Sequence, residues 1–233
     1  MGPDTTTIVA LLPLKAHSER VPRKNFRDLH GRPLFRWMLD TLLAMPRVAR
    51  IVINTDARDV LLQHGLGDDE RVMVRDRRSE ICGDTVSMNR VIEDDVQHVP
   101  ADAYLMTHTT NPLISAETIH RALDAYERGV RDQRADSLFG VTRIQSRFYR
   151  ADGSAVNHDP DNLVRTQDLE PWFEENSCLY IFSRRSFAAT SARIGLRPIL
   201  FETPKLESLD IDTEDDWSLV EAVAATRQAG RSA

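Results

Sequence analysis

The chain has 233 residues, 41% of them apolar, and a formal net charge of −6 at pH 7. That is enough to bury one α/β core with room for an inserted element, and too little for two comfortable domains. The acidic balance argues against a general nucleic-acid binder, no apolar run reaches the ~18 residues of a membrane helix, and Met1 to Thr7 lack a basic end followed by an apolar stretch, so a soluble cytoplasmic protein is expected.

Residues 8–12 form a continuous apolar run ending at Pro13, the pattern of a strand buried on both faces in a parallel sheet. A polar loop of unusual length follows, from 13 to 32. Between Lys15 and Arg36 seven basic residues meet two acids, a local charge of +5 in an acidic protein. Leu34, Phe35, Met38, Leu39, Leu42 and Leu43 then recur at helical spacing behind Pro33, a residue suited to a first helical turn. Residues 50–54 supply a second, β-branched strand, so the chain opens with a right-handed βαβ unit. A long loop after its first strand lies where an open α/β sheet gathers ligands.

The alternation continues with a strand at 72–74, a helix around 86–97, a strand at 103–106, a helix at 116–128 capped by Ser115, and a strand at 137–142. Residues 143–175 break the rhythm: Asp152-Gly153, Asn157 and Pro160 mark turns between short extended pieces, which predicts an inserted β-hairpin region. Strands at 179–182 and 198–201 and a helix over 214–226 complete the chain, with Thr213 and Asp216 spaced as in a capping box. From Glu202 to Glu221 eight acids face one lysine, a local charge of −7. A positive early segment and a negative late one suit a polyphosphate with its cation, or are two solvated faces. Cys82 and Cys178 are read as reduced structural thiols, and His17, His120 and His158 have no metal-ligand spacing. Trp37, Trp172 and Trp217 are read as packing residues.

Two segments carry chemistry. The loop Pro13-Leu14-Lys15-Ala16-His17-Ser18-Glu19-Arg20-Val21-Pro22-Arg23-Lys24-Asn25 offers cations, a hydroxyl and free amides to phosphates, without Walker-type glycines or a dinucleotide GxGxxG. In Glu207-Ser208-Leu209-Asp210-Ile211-Asp212-Thr213, alternation puts Asp210 and Asp212 on one side of an extended segment and Leu209 and Ile211 on the other. Two carboxylates aimed at one point suit Mg²⁺. The alternative is a surface strand entering an acidic helix N-terminus, the reading given to Glu214, Asp215 and Asp216.

The first loop resembles the signature of the acylneuraminate and deoxy-octulosonate cytidylyltransferases, in which an arginine and a serine-lysine-glycine precede a proline and a lysine-asparagine pair. Ser18, Pro22, Lys24 and Asn25 fit; Lys15 stands for the usual arginine and Glu19 for the usual lysine. Four further stretches resemble that family in the same order: Arg77 through Glu80 to Asp84-Thr85; Leu105 through Thr110-Asn111-Pro112-Leu113, with His108 for glutamine; Glu175 to Ile181; and Glu207 to Thr213.

The resemblance implies a Rossmann-like, three-layer α/β nucleotidyltransferase with a mostly parallel sheet, in which 143–175 is an inserted hairpin that builds a homodimer. It implies transfer of CMP from CTP to an acidic acceptor, with Mg²⁺ on Asp210 and Asp212 and with Lys15 and Lys24 on the triphosphate. Leu12, Ser18, Asn25, Arg77, Asp84 and His108 would line the nucleotide site, and Arg165, Gln167 and Asn176 the acceptor site, although Arg165 and Gln167 could equally hold the hairpin together. The choice of cytidine rests on the resemblance alone. The acceptor stays open between a nonulosonic acid, an octulosonic acid and another small acid such as a phosphonate. Glu19 repels a phosphate unless a cation intervenes, and Arg20 is the expected partner; Ile114 removes a cation that relatives often carry. Two other readings remain: a nucleotidyltransferase acting on a sugar phosphate, against which stands the missing glycine-rich loop, and a nucleotide-binding paralogue without catalysis.

Overall fold

The computed structural model describes residues 6–232, so the reading of Met1 to Thr7 lies outside the described residues except at Thr6 and Thr7. The chain runs β1 (Ile8–Leu11), β2 (Asp28–Leu29), β3 (Arg32–Pro33), α1 (Leu34–Leu43), β4 (Val48–Thr55), α2 (Arg58–Gln63), β5 (Val72–Asp76), α3 (Met88–His98) and β6 (Ala103–Thr107). It continues with α4 (Ala116–Arg131), β7 (Ser137–Ile144), β8 (Trp172–Phe182), α5 (Arg184–Thr190), β9 (Pro198–Glu202) and α6 (Glu214–Ser232). Seven strands make one sheet in the order β5-β4-β1-β6-β8-β7-β9, all parallel except β8, which runs antiparallel to both its neighbours.

Side-chain alternation sorts the core into layers. Ile8, Ala10 and Leu12 point to one face and join Phe35, Met38 and Leu39 of α1 and Ile119 and Leu123 of α4. Val9 and Leu11 point to the other and join Ile92 and Val96 of α3 and Phe187 of α5. Each of these larger side chains contributes about 1.5–3 kcal/mol by leaving water, which is why the sheet demands helices on both sides. This is the expected three-layer α/β fold with a mostly parallel sheet. A third cluster, Val21, Leu29, Leu34, Ile211, Trp217 and Val220, packs α6 against the long first loop.

Several boundaries move. The loop contains a two-stranded ribbon, β2 with β3, whose turn places His30 at φ 51° and Gly31 at φ 80°, the pair of positive values a tight hairpin needs. Pro33 is the cap before α1 rather than its first helical residue. The excursion at 143–175 is an outgrowth of the sheet itself: beyond a register shift, Val141 to Ile144 of β7 pair with Trp172 to Glu175 of β8. Between these arms only one bridge, Tyr149 to Ala155, is formed among the described residues. Ser115 caps α4 and Thr213 exchanges hydrogen bonds with Asp216, as the spacing predicts. Among the described residues no helix is long and apolar enough to cross a membrane.

Candidate active site

The site lies at the carboxyl end of the sheet, where the loops after β1 and β6 leave neighbouring strands in opposite directions. The basic loop is clamped at its base. Leu14 N–H donates to the Asn54 carbonyl at 3.2 Å, Ala16 N–H to Asp56 Oδ1 at 2.8 Å, and Asn25 Nδ2 to the Lys15 carbonyl at 2.8 Å. Thr109 Oγ1, from the loop after β6, donates to Asn25 Oδ1 at 2.6 Å. Asn25 is buried and spends both ends of its amide on protein, so it holds the loop in shape.

The acidic segment crosses the mouth of this loop. Ile211 N–H donates to the Thr110 carbonyl at 2.9 Å and Asn111 Nδ2 to the Leu209 carbonyl at 3.3 Å, while the buried Ile211 side chain anchors the segment from behind. Asp210 and Asp212 are thereby turned toward the basic loop. Lys24 Nζ donates to the Ile211 carbonyl at 2.5 Å and lies 3.5 Å from Asp212, and Arg20 reaches the same carboxylate at 2.9 Å. The expectation that Arg20 neutralises Glu19 is therefore corrected: Arg20 is drawn to the more acidic Asp210–Asp212 side, and Glu19 makes no ion pair among the described residues. Lys15 is held by Asp84. Both loop cations expected to meet a triphosphate thus rest against carboxylates that a polyanion would replace.

Asp210 is the strained member of the group. Burial raises its pKa, the Asp212 charge raises it further, and Thr110 and Lys24 pull the other way. Its Oδ1 is buried and has no hydrogen-bond partner among the described residues. An orphaned carboxylate oxygen beside a second carboxylate is a donor set that fits a hard divalent cation. His108, in the loop after β6, is pushed down to about 3, first by burial among surrounding atoms and then by the charges of Arg193 and Lys24, although its outer edge still meets solvent. It is a neutral imidazole at physiological pH, packed edge-on against Tyr180 at 6.5 Å.

Not every expected residue faces the cleft. The Leu12 side chain is fully buried in the core. Arg77 is half-buried, its Nε donating to Asn54 Oδ1 at 3.0 Å and its Nη2 to the Leu14 carbonyl at 3.1 Å, and Ser18 lies partly exposed in the loop. Asn176 is consumed by Thr142, Thr203, Ser208 and the Cys178 N–H, and so ties β8 to its neighbours rather than offering a polar group outward. Arg165 and Gln167 sit exposed on the excursion, with Arg165 paired to Asp168 at 2.7 Å. Sequence reasoning missed Asn54, Asp56 and Arg193. The first two follow the apolar run of β4, a switch to polar residues at a carboxyl strand end that marks a site; Arg193 carries no such signal and enters by stacking on Tyr180 at 4.0 Å.

The sequence profile of the cytidylyltransferase family matches residues 9–228. CMP-N,N'-diacetyllegionaminic acid synthase of Legionella pneumophila is 27% identical over 95% of this chain and 97% of its own. Pseudaminic acid cytidylyltransferase of Campylobacter jejuni is 22% identical over 89% and 92%. Among solved structures, CMP:2-keto-3-deoxy-manno-octonic acid synthetase complexed with CTP superposes with a TM-score of 0.68 at 16% identity, covering 95% of this chain and all of that one, and so shares the fold. A clamped basic loop set against paired carboxylates at the sheet's switch point is thus carried on a matching fold and a matching sequence, and the chain belongs to the cytidylyltransferase family, alongside CMP-sugar-acid synthases.

Proposed function

We propose that the protein transfers CMP from CTP to the hydroxyl of a nonulosonic acid, releasing pyrophosphate. The observation that carries this reading is the convergence of Lys15, Arg20 and Lys24 with Asp210 and Asp212 on one edge of the cleft. An acceptor oxygen attacks the α-phosphorus, the bond to the β-phosphate oxygen breaks, and the acceptor's proton leaves to solvent or a nearby base. No protein nucleophile is needed. Lys15 exchanges Asp84 for phosphate, and Lys24, side chain only 11% exposed, stabilises charge that builds on the leaving group. Asp210 and Asp212 would hold Mg²⁺, which supplies charge neutralisation at the triphosphate and a lowered pKa at the acceptor hydroxyl. Neutral His108 offers a ring N–H or lone pair to the nucleotide without adding charge.

The excursion suits a homodimer. It exposes Tyr149, Leu163, Val164, Trp172 and Phe173, an apolar surface that a short ribbon cannot cover alone and that a second copy would. The two cysteines are free thiols, in keeping with work in the reducing cytoplasm. The test is an end-point assay of CTP with N-acetylneuraminic, legionaminic and pseudaminic acids, read by pyrophosphate release and by the mass of the CMP conjugate. Turnover of none of them with Mg²⁺ present, while CTP binds, would leave the nucleotide-binding paralogue.

A further inference from the structure

Beneath the phosphate loop a buried polar chain runs through the sheet. Asp95, on the core-facing side of α3, is 1% exposed. Its Oδ1 accepts from Asn54 Nδ2 at 2.8 Å and from Arg75 Nε at 3.0 Å. Asn54, fully buried in β4, turns its other end to Arg77, whose Nε donates to Asn54 Oδ1 at 3.0 Å. Arg77 Nη2 then bridges the carbonyls of Asn54, at 2.8 Å, and Leu14, at 3.1 Å. Leu14 is the point where the loop is still bridged to the sheet, opposite Thr55 of β4. Only one orientation of the Asn54 amide serves, because a guanidinium cannot accept and an ionised carboxylate cannot donate. Placing a carboxylate and a carboxamide in an otherwise apolar layer costs stability unless every group is satisfied, so a chain this deep is expensive to keep for packing alone.

We propose that Asp95 is a positioning residue for the triphosphate loop, acting through Asn54 and Arg77. The carboxylate fixes the Asn54 amide, the amide fixes the plane of the Arg77 guanidinium, and that plane sets both the height of Leu14 and the direction of Arg77 Nη1, which makes no hydrogen bond among the described residues. Asp95 touches no reacting atom. Its neighbour separates this role from bulk stability: Asp94, also buried, pairs with Arg75 at 2.7 Å and with Arg78 at 3.2 Å, next to His98, and meets the relay only through Arg75, which it shares with Asp95, touching neither Asn54 nor Arg77. The inference rests on the CTP reading above for its ligand and on geometry alone for the loop.

The experiment compares Asp95→Ala, Asp95→Asn, Asn54→Ser and Asp94→Asn with wild type by CTP calorimetry and by amide hydrogen exchange at residues 14–16. Asp95→Ala and Asn54→Ser should weaken CTP about tenfold and speed exchange at Leu14 and Ala16 about tenfold. Asp95→Asn, which still accepts from Asn54, should recover most of both, and Asp94→Asn should lower Tm without moving either. Unchanged exchange at 14–16 in a folded Asp95→Ala or Asn54→Ser protein overturns the relay, as does an equal loss in Asp94→Asn. Should wild type fail to bind CTP, the ligand assignment falls, and the exchange data still decide the relay.

Discussion

Replacing Asp210 by asparagine should stabilise the protein while disabling it. Successive residues on an extended segment rise ~3.3 Å, so the Asp210 and Asp212 carboxylates stand ~7 Å apart. At an effective dielectric of ~20, two negative charges at that distance repel by about 2 kcal/mol. Arg20 and Lys24 beside Asp212, and the 44% exposure of that side chain, reduce this to about 1 kcal/mol. For a protein of this size Asp210→Asn then raises Tm by about 2–4 °C at pH 7 without divalent cation. The sign follows from the raised pKa of Asp210: the ionised carboxylate costs stability above that value, so the gain fades as pH falls through it. Turnover should fall more than about 100-fold, or about 2.7 kcal/mol of barrier. Calorimetric melts with EDTA and with Mg²⁺ make the measurement, with Mg²⁺ raising Tm for wild type alone. A variant less stable than wild type in EDTA, or one keeping more than about a tenth of the activity, would refute the reasoning.

Asp95 provides the pH test. Burial lifts its carboxyl from the ordinary range to about 6, with Arg75 and Asn54 opposing and Asp94 adding to the rise. Its contribution is intact below about 4 and is lost as pH rises through about 6, a span of about 3 kcal/mol; Asp95→Asn should flatten the stability profile in that window, and an unchanged profile would contradict it. Glu19→Lys should tighten CTP by up to about fivefold at low salt, since it adds a cation beside Asp84, which Glu19 neighbours, and competes with Lys15 for that carboxylate, with acceptor preference unchanged; slower turnover or a changed acceptor in steady-state kinetics would instead give Glu19 a role of its own. Light scattering should give the mass of the proposed homodimer for wild type and of a monomer for Phe173→Asp together with Trp172→Asp; a monomeric wild type, or a dimer that survives both substitutions, would contradict an interface built by the excursion.

The periodic parts of the fold were legible because burial on both faces leaves an unmistakable run. Residues 8–12, the α1 stripe and the strand at 103–106 sit where their pattern puts them. The six-residue α2 and seven-residue α5 were invisible, since so short a helix shows no period, and the His30-Gly31 turn carries only one of the two residues that announce a tight hairpin. At the site, Asp210 and Asp212 could be paired from alternation because they share one extended segment. The partnership of Arg20 with Asp212 could not, because it depends on two distant loops meeting. Asp95 was missed for a different reason: a charge in a helix normally reads as a solvated face, and only its spacing from Val91 and Ile92 places it inward.

The most direct test is the nucleotide specificity of pyrophosphate release. Wild-type protein with Mg²⁺ and a panel of nonulosonic acids is supplied in turn with CTP, UTP, GTP and dTTP, and product is identified by mass. Membership of the cytidylyltransferase family leads to the expectation of CTP-dependent release with one CMP-linked sugar acid formed per pyrophosphate, and at least about a hundredfold less with the other three. Equal use of UTP, or turnover with sugar phosphates in place of sugar acids, would contradict it.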